Sequence, residues 1–278
     1  MTALQAIFLG LVQGIAEFLP ISSSGHLSIF QNLFGMTTSE GSLFFDVLLH
    51  LGTLVSVCIV YWKDLVSIVN DCGGFIRSVG HPVPGGNKRR YPGARLLLMI
   101  VIATLPLFLI LPVHDYIERL FNSTAFIGVA LLLTGAMLYV ADRMARGGRT
   151  EKNMSGWDAL LVGICQAIAT IPGLSRSGTT ITAGISAGFD RSFAVKFSFL
   201  ISIPAVLGAN LLSFFKALKA GVDLSQLPVW LLGMLVAAVS GYFAIRLVRY
   251  IARKGRFGWF ACYCAFAGVL TLLLTIIL

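Results

Sequence analysis

Two short polar segments interrupt an otherwise apolar chain, and both carry residue types suited to phosphate chemistry. The first is Pro20-Ile-Ser-Ser-Ser-Gly-His26, preceded by Gln13 and Glu17. The second is Pro172-Gly-Leu-Ser-Arg-Ser-Gly178, followed by Thr179 and Thr180. Pro and Gly stop an α-helix at these points, and new helices are expected near His26 and near Thr179. A helix N-terminus offers free N–H donors and a partial positive charge, which suits phosphate. Arg176 adds a planar fork that takes two phosphate oxygens. Ser22, Ser24, Gly25, Ser175, Ser177, Gly178, Thr179 and Thr180 are small enough to let an oxyanion approach the backbone, and are the expected substrate-binding residues.

Glu17 and His26 supply acid–base groups, and Ser23 a hydroxyl nucleophile. Glu17 lies one helical turn after Gln13, so the two share a face. Their carboxylate and amide oxygens are hard ligands, suited to Mg²⁺ or Ca²⁺. Plainer roles stay open for each: His26 as a helix cap, Glu17 as a structural partner of Arg176, one of the three serines as a cap. Asp46 and His50, four residues apart near the outer end of the 43–62 stretch, are read as packing residues, with a role at the pocket left open. His114 with Asp115 is assigned to the interface and His81 to a loop. The chain carries no P-loop, GxGxxG, HExxH or paired CxxC. Cys58, Cys72, Cys165, Cys262 and Cys264 have neither metal nor disulfide spacing and are expected as free thiols.

These groups need elements to hold them, and composition says where those elements sit. Of 278 residues, 57% are hydrophobic and only 12% charged, against about 25% charged in a soluble domain. Mean hydropathy is +0.87. A water-soluble globule and a disordered chain are both excluded, leaving one all-α domain, 1–278, embedded in a bilayer. Its partners then include membrane lipids. The net charge of +9 is orienting charge in loops rather than a nucleic-acid footprint. Met1–Ala6 lacks a basic n-region, so no cleaved signal peptide is expected.

Six apolar stretches reach spanning length: 43–62, 94–112, 123–142, 192–214, 227–248 and 258–278. Two further stretches, about 3–34 and 157–189, are broken at the polar segments and read as re-entrant hairpins. Basic residues concentrate in three connections: 63–95 (Lys63, Arg77, Lys88, Arg89, Arg90, Arg95), 143–152 (Arg143, Arg146, Arg149, Lys152) and 246–256 (Arg246, Arg249, Arg253, Lys254, Arg256). Elsewhere Arg119 stands beside Asp115 and Glu118, and Lys216 and Lys219 precede Asp223. The positive-inside rule places the three rich connections in the cytoplasm. The spans then alternate without conflict, and the first hairpin enters from outside. Trp62, Trp157, Trp230 and Trp259 are assigned to the aromatic belt.

The two hairpins resemble each other. A shift of 153 residues sets Gly10–Gly25 on Gly163–Gly178 with seven identities in sixteen ungapped positions. Three spans follow each hairpin, an odd number, so the halves, about 1–142 and 157–278, are expected in opposite orientations as an inverted repeat with the tips facing each other. An Arg at bilayer depth is costly, about 2.5–3.5 kcal/mol on insertion scales. Arg176 and Glu17 therefore imply a wet pocket.

Glu17-Phe-Leu-Pro-Ile-Ser-Ser-Ser-Gly-His26 and Pro172-Gly-Leu-Ser-Arg-Ser-Gly-Thr-Thr180 resemble the two signature segments of bacterial undecaprenyl-diphosphate phosphatases, the bacitracin-resistance proteins. The resemblance covers essentially the whole chain. It implies hydrolysis of undecaprenyl diphosphate to undecaprenyl phosphate and inorganic phosphate, which recycles the lipid carrier for the cell wall. It also implies a divalent cation and a multi-pass protein of the bacterial inner membrane, with its site on the periplasmic or outer face. By position, Ser23 resembles the nucleophile, Glu17 the essential carboxylate of a Glu/Gln-x-x-x-Glu element, and Gln13 its first member. His26 resembles the catalytic histidine, Arg176 the phosphate-binding arginine, and Ser175 and Thr180 supporting hydroxyl groups. Attack by water in place of Ser23 stays open, as do a homodimer and a rival function as transporter or flippase of a polyprenyl phosphate.

Overall fold

The computed structural model describes residues 1–36, 40–78, 91–113, 116–117, 120, 123–144, 147–220 and 224–277. His81, Lys88, Arg89, Arg90, His114, Asp115, Glu118, Arg119, Arg146 and Asp223 lie outside the described residues. The described chain is helical: α1 (Ala3–Phe18), α2 (Ser23–Leu33), α3 (Glu40–Val60), α4 (Trp62–Arg77), α5 (Pro92–Thr104), α6 (Thr124–Arg143), α7 (Gly156–Ile168), α8 (Arg176–Ser186), α9 (Arg191–Ala220), α10 (Leu227–Lys254) and α11 (Gly258–Ile277). Two 3₁₀ turns, Leu105–Leu109 and Leu111–Val113, extend α5.

Local sequence sets these boundaries. Thr2 and Gln5 cap α1 reciprocally, and Ser155 and Asp158 do the same for α7, satisfying first-turn donors. Pro20 ends α1. Gly35, Gly188 and Gly255, at φ of 65°, 80° and 67°, turn the chain after α2, α8 and α10, where a Cβ is disfavoured.

Among the described residues, six segments are long and apolar enough to cross a membrane: Leu43–Val60, Pro92–Val113, Thr124–Arg143, Arg191–Lys216, Leu227–Lys254 and Gly258–Ile276. They coincide with the six expected stretches. The helices of the hairpins, α1, α2, α7 and α8, have 16, 11, 13 and 11 residues, short of the roughly 20 that a span needs. Apolar side chains such as Leu98, Val129, Val239, Phe243 and Phe266 face outward from the bundle, as lipid-facing positions of a multi-pass membrane protein do.

Three expectations are corrected. The 63–95 connection is not all loop, because α4 occupies its first half. Asp71 Oδ2 accepts from Gly93 N at 2.6 Å and ties α4 to the start of α5. The basic residues up to Lys254 belong to the end of α10 rather than to a loop, and Arg246, Arg249 and Lys254 lie over the rings of Tyr242, Tyr61 and Tyr250. Trp230 is a core residue at 4% exposure, packed on Phe44 at 5.4 Å. Trp62, Trp157 and Trp259 are exposed, as a belt requires. All five cysteines are free.

Small residues let the helices close on one another. A Cβ at Gly10 on α1 would sit 2.5 Å from Gly233 O on α10, and one at Gly163 on α7 would sit 2.4 Å from Ala103 O on α5. Gly10 and Gly163 are equivalent under the 153-residue shift, so each hairpin packs its first helix, by the same glycine, on a span of the other half. At the end carrying the basic residues, Lys196 on α9 pairs with Asp64 on α4 at 2.6 Å and with Glu151 at 2.8 Å. Asp142 accepts from Arg191 and from Phe257 N.

Candidate active site

The tips of the two hairpins touch. Ser177 Oγ donates to Leu19 O at 3.3 Å. A Cβ at Gly178 would lie 3.3 Å from Pro20 Cβ, and one at Gly25 would lie 3.7 Å from Gly173 Cα. Pro20 and Gly173, like Gly25 and Gly178, are equivalent positions, so the contact is reciprocal.

Each tip opens a helix one turn earlier than the motifs suggest. Ser22 caps α2, its Oγ accepting from Gly25 N at 3.4 Å, and Ser175 caps α8, its Oγ accepting from Gly178 N at 3.1 Å. Ser23 and Arg176 thereby become the first residues of their helices. Ser22 holds φ 70°, ψ 95°, an unusual backbone for a residue with a Cβ. One serine of the three is thus a cap, which frees its neighbour. Ser24 Oγ lies 3.5 Å from Ser22 Oγ, and Ser175 Oγ lies 3.2 Å from Ser177 Oγ.

Glu17 is the hub. It is 7% exposed, and a buried carboxylate is tolerable only when paired and hydrogen-bonded. Arg176 Nη2 from the opposite tip donates to Oε1. On Oε2, Ser23 Oγ donates at 2.7 Å and Gln13 Nε2 at 3.0 Å. His50 Nε2 stands 3.9 Å from the same oxygen. Arg176 Nη1 is buried with no hydrogen-bond partner among the described residues, as is Gln13 Oε1.

The structure therefore brings Gln13, Glu17, Ser23 and Arg176 into direct contact. Glu17 is at once the ion-pair partner of Arg176 and the acceptor of the Ser23 hydroxyl. His26 stands apart from that cluster: Nδ1 lies 2.7 Å from Ser22 O and Nε2 lies 2.6 Å from Tyr263 OH. Thr180 is 1% exposed, and its hydroxyl bonds Arg176 O at 2.8 Å and Ser198 Oγ at 2.6 Å. It braces the first turn of α8. Thr179 Oγ1 is buried without a partner among the described residues.

Of the two readings left open for His50, the structure places its ring beside the cluster. Its Nδ1 bonds Asp46 O at 2.8 Å, which turns Nε2 toward Glu17. Asp46 itself accepts from Gln31 Nε2 at 2.7 Å. The Asp46–His50 spacing was the available signal. Sequence reading missed Tyr263, Thr134 and Ser198, all polar residues on spans; Thr134 Oγ1 accepts from Ser175 N at 3.1 Å. Among the described residues, no three His, Cys, Asp or Glu side chains converge as metal ligands.

The family model for bacitracin resistance protein BacA matches residues 6–270. The undecaprenyl-diphosphatase of Methanosphaera stadtmanae is 41% identical over 281 residues, covering 99% of both chains. That of Halothermothrix orenii is 39% identical, covering 99% of this chain and 98% of its own. That of Alkaliphilus metalliredigens is 40% identical over the full length of both.

Proposed function

The chain belongs to the bacitracin resistance protein BacA family, and on that premise we propose that it hydrolyses undecaprenyl diphosphate to undecaprenyl phosphate and inorganic phosphate between its two hairpin tips. This reaction returns the lipid carrier to cell-wall synthesis. The observation that carries the reading is the junction at Glu17, where a guanidinium from one tip and a serine hydroxyl from the other meet on one carboxylate.

Phosphoryl transfer is catalysed chiefly by positioning and by neutralising charge on the transferred oxygens. Arg176 presents an unpartnered Nη1 for a phosphate oxygen. The first N–H groups of α2 and α8 supply further donors. Ser23 Oγ attacks the terminal phosphorus. Its proton passes to Glu17, the Oγ–P bond forms, and the bridging P–O bond breaks to release undecaprenyl phosphate. Water then hydrolyses the phosphoserine, releasing inorganic phosphate and returning Ser23. His26 is the further proton-handling group of the site.

A divalent cation, Mg²⁺ or Ca²⁺, fits this site only in part. Gln13 Oε1 and Glu17 are the available oxygen ligands, and Glu17 already accepts from Arg176, Ser23 and Gln13. Such ions take about six or more oxygens, so most would come from the diphosphate and water. When bound there, the cation neutralises phosphate charge.

The halves 1–142 and 157–278 form an inverted repeat of re-entrant hairpins and spans in the plasma membrane. The equivalent contacts of Gly10 and Gly163, and of Gly25 and Gly178, support it. With the basic helix ends in the cytoplasm, the site opens to the periplasmic or outer face.

The test is inorganic phosphate release from polyprenyl diphosphate by the purified chain in detergent, where no second compartment exists. Hydrolysis gives sustained release. A carrier that only moves the lipid gives none.

A further inference from the structure

We propose that Tyr263, on the last span, is a positioning residue that holds His26 in its working tautomer and orientation. The proposal rests on the reading of His26 as a proton-handling group.

A backbone carbonyl only accepts, so the 2.7 Å contact of Nδ1 with Ser22 O places the proton on Nδ1. Nε2 is left with its lone pair, and the Tyr263 hydroxyl, 2.6 Å away, donates to it. The two rings stack, with centroids 5.6 Å apart and planes 18° from parallel. Position 263 is 237 residues from His26, so the last span reaches back to the first hairpin. The chain of bonds runs from Tyr263 through His26 to Ser22, the residue with the unusual backbone that caps α2. A phenol both donates and accepts. It can hold the ring when Nε2 carries the lone pair, and again when Nε2 has taken a proton and must donate.

Among the described residues, no other titratable side chain is hydrogen-bonded to the His26 ring. Glu17 on α1 is turned to Ser23, and Arg176 on α8 to Glu17. Cys264, next to Tyr263 on α11, donates its thiol to Pro20 O at 3.4 Å. Tyr263 is therefore the side chain that holds Nε2 and fixes how the ring is turned.

Tyr263→Phe keeps the ring and removes the hydroxyl. In full-length protein in detergent, kcat for phosphate release from polyprenyl diphosphate should fall about 10- to 100-fold with KM unchanged, and one limb of the pH–rate profile should move. An unchanged kcat overturns the proposal, and so does a reduced kcat with both limbs in place. Fluorotyrosine at 263 keeps ring and hydroxyl while making the phenol a stronger donor, and the same limb should again move. Nitrogen-15 NMR of the histidine rings needs no turnover: the His26 Nε2 resonance should shift in Tyr263→Phe, and coincident spectra contradict the proposal. Wild-type protein that releases no phosphate would overturn the phosphatase reading instead, leaving the NMR result to decide the Tyr263–His26 coupling.

Discussion

Glu17 and Arg176 lie 159 residues apart in the chain and meet as an ion pair at the contact of the two hairpin tips. Neither charge is affordable alone in this setting, so each hairpin carries half of a structure that the other completes. The same guanidinium leaves Nη1 without a hydrogen-bond partner among the described residues.

Removing one partner should therefore cost both stability and chemistry. Arg176→Ala strands a buried carboxylate and should destabilise the fold by about 3–5 kcal/mol, read as thermal unfolding in detergent. Adding Glu17→Gln should restore much of that stability and none of the turnover. Arg176→Lys keeps the charge and loses the fork; it should fold normally and lose about 100-fold or more in kcat. A wild-type rate in Arg176→Lys is incompatible with a phosphate-binding role.

Ser23 gives a sharper chemical test. Its hydroxyl is already aligned on Glu17 at 2.7 Å. Acid quenching during turnover should trap a phosphoserine at position 23, detected by mass spectrometry. Ser23→Ala should lower kcat by about 10³-fold or more. Near-normal turnover in that variant would mean that water attacks instead.

The interlocked glycines predict a stability contrast. Gly163→Ala drives a Cβ to 2.4 Å from Ala103 O, a backbone atom that cannot step aside. It should cost about 1–3 kcal/mol. Gly208, in the middle of α9, has open space around its Cβ position. Gly208→Ala should be neutral or stabilising by about 0.5–1 kcal/mol. Melting temperatures of the two variants should move in opposite directions or differ clearly in size.

Cation binding should depend on the substrate. With one carboxylate already engaged by Arg176, the chain alone should bind Mn²⁺ weakly, read by electron paramagnetic resonance. A non-hydrolysable diphosphate lipid should strengthen binding, and Gln13→Glu should strengthen it without the lipid. Tight Mn²⁺ binding by the unliganded protein would contradict the two-ligand site.

Much of this was legible because membrane burial writes itself plainly into sequence. The six spans show as long apolar runs, and the tips show because Ser, Arg and Gly at that depth need a reason to be there. The pairing of Gln13 with Glu17 follows from helical period alone. Tyr263 was illegible, since a contact across 237 residues leaves no local mark on an ordinary apolar span. His50 was half-visible: its spacing from Asp46 was noticed, but not that its ring turns to α1. The helix α4 was hidden because Lys63, Asp64, Asn70 and Asp71 dilute its apolar face, yet Asp71 and Asp64 bind it to α5 and α9. Trp230 shows the converse error. An amphipathic type near a helix end reads as interfacial, while tertiary packing on Phe44 buries it.

The account stands on two tips acting on one headgroup, and a double-mutant cycle in kcat/KM probes that most directly. Ser23→Ala, Arg176→Lys and the double variant should be compared for phosphate release from polyprenyl diphosphate in detergent. Residues serving one reacting phosphoryl group lose function non-additively, so the double variant should be little worse than the poorer single. Losses that multiply in full would place Ser23 and Arg176 in separate events and contradict a shared site.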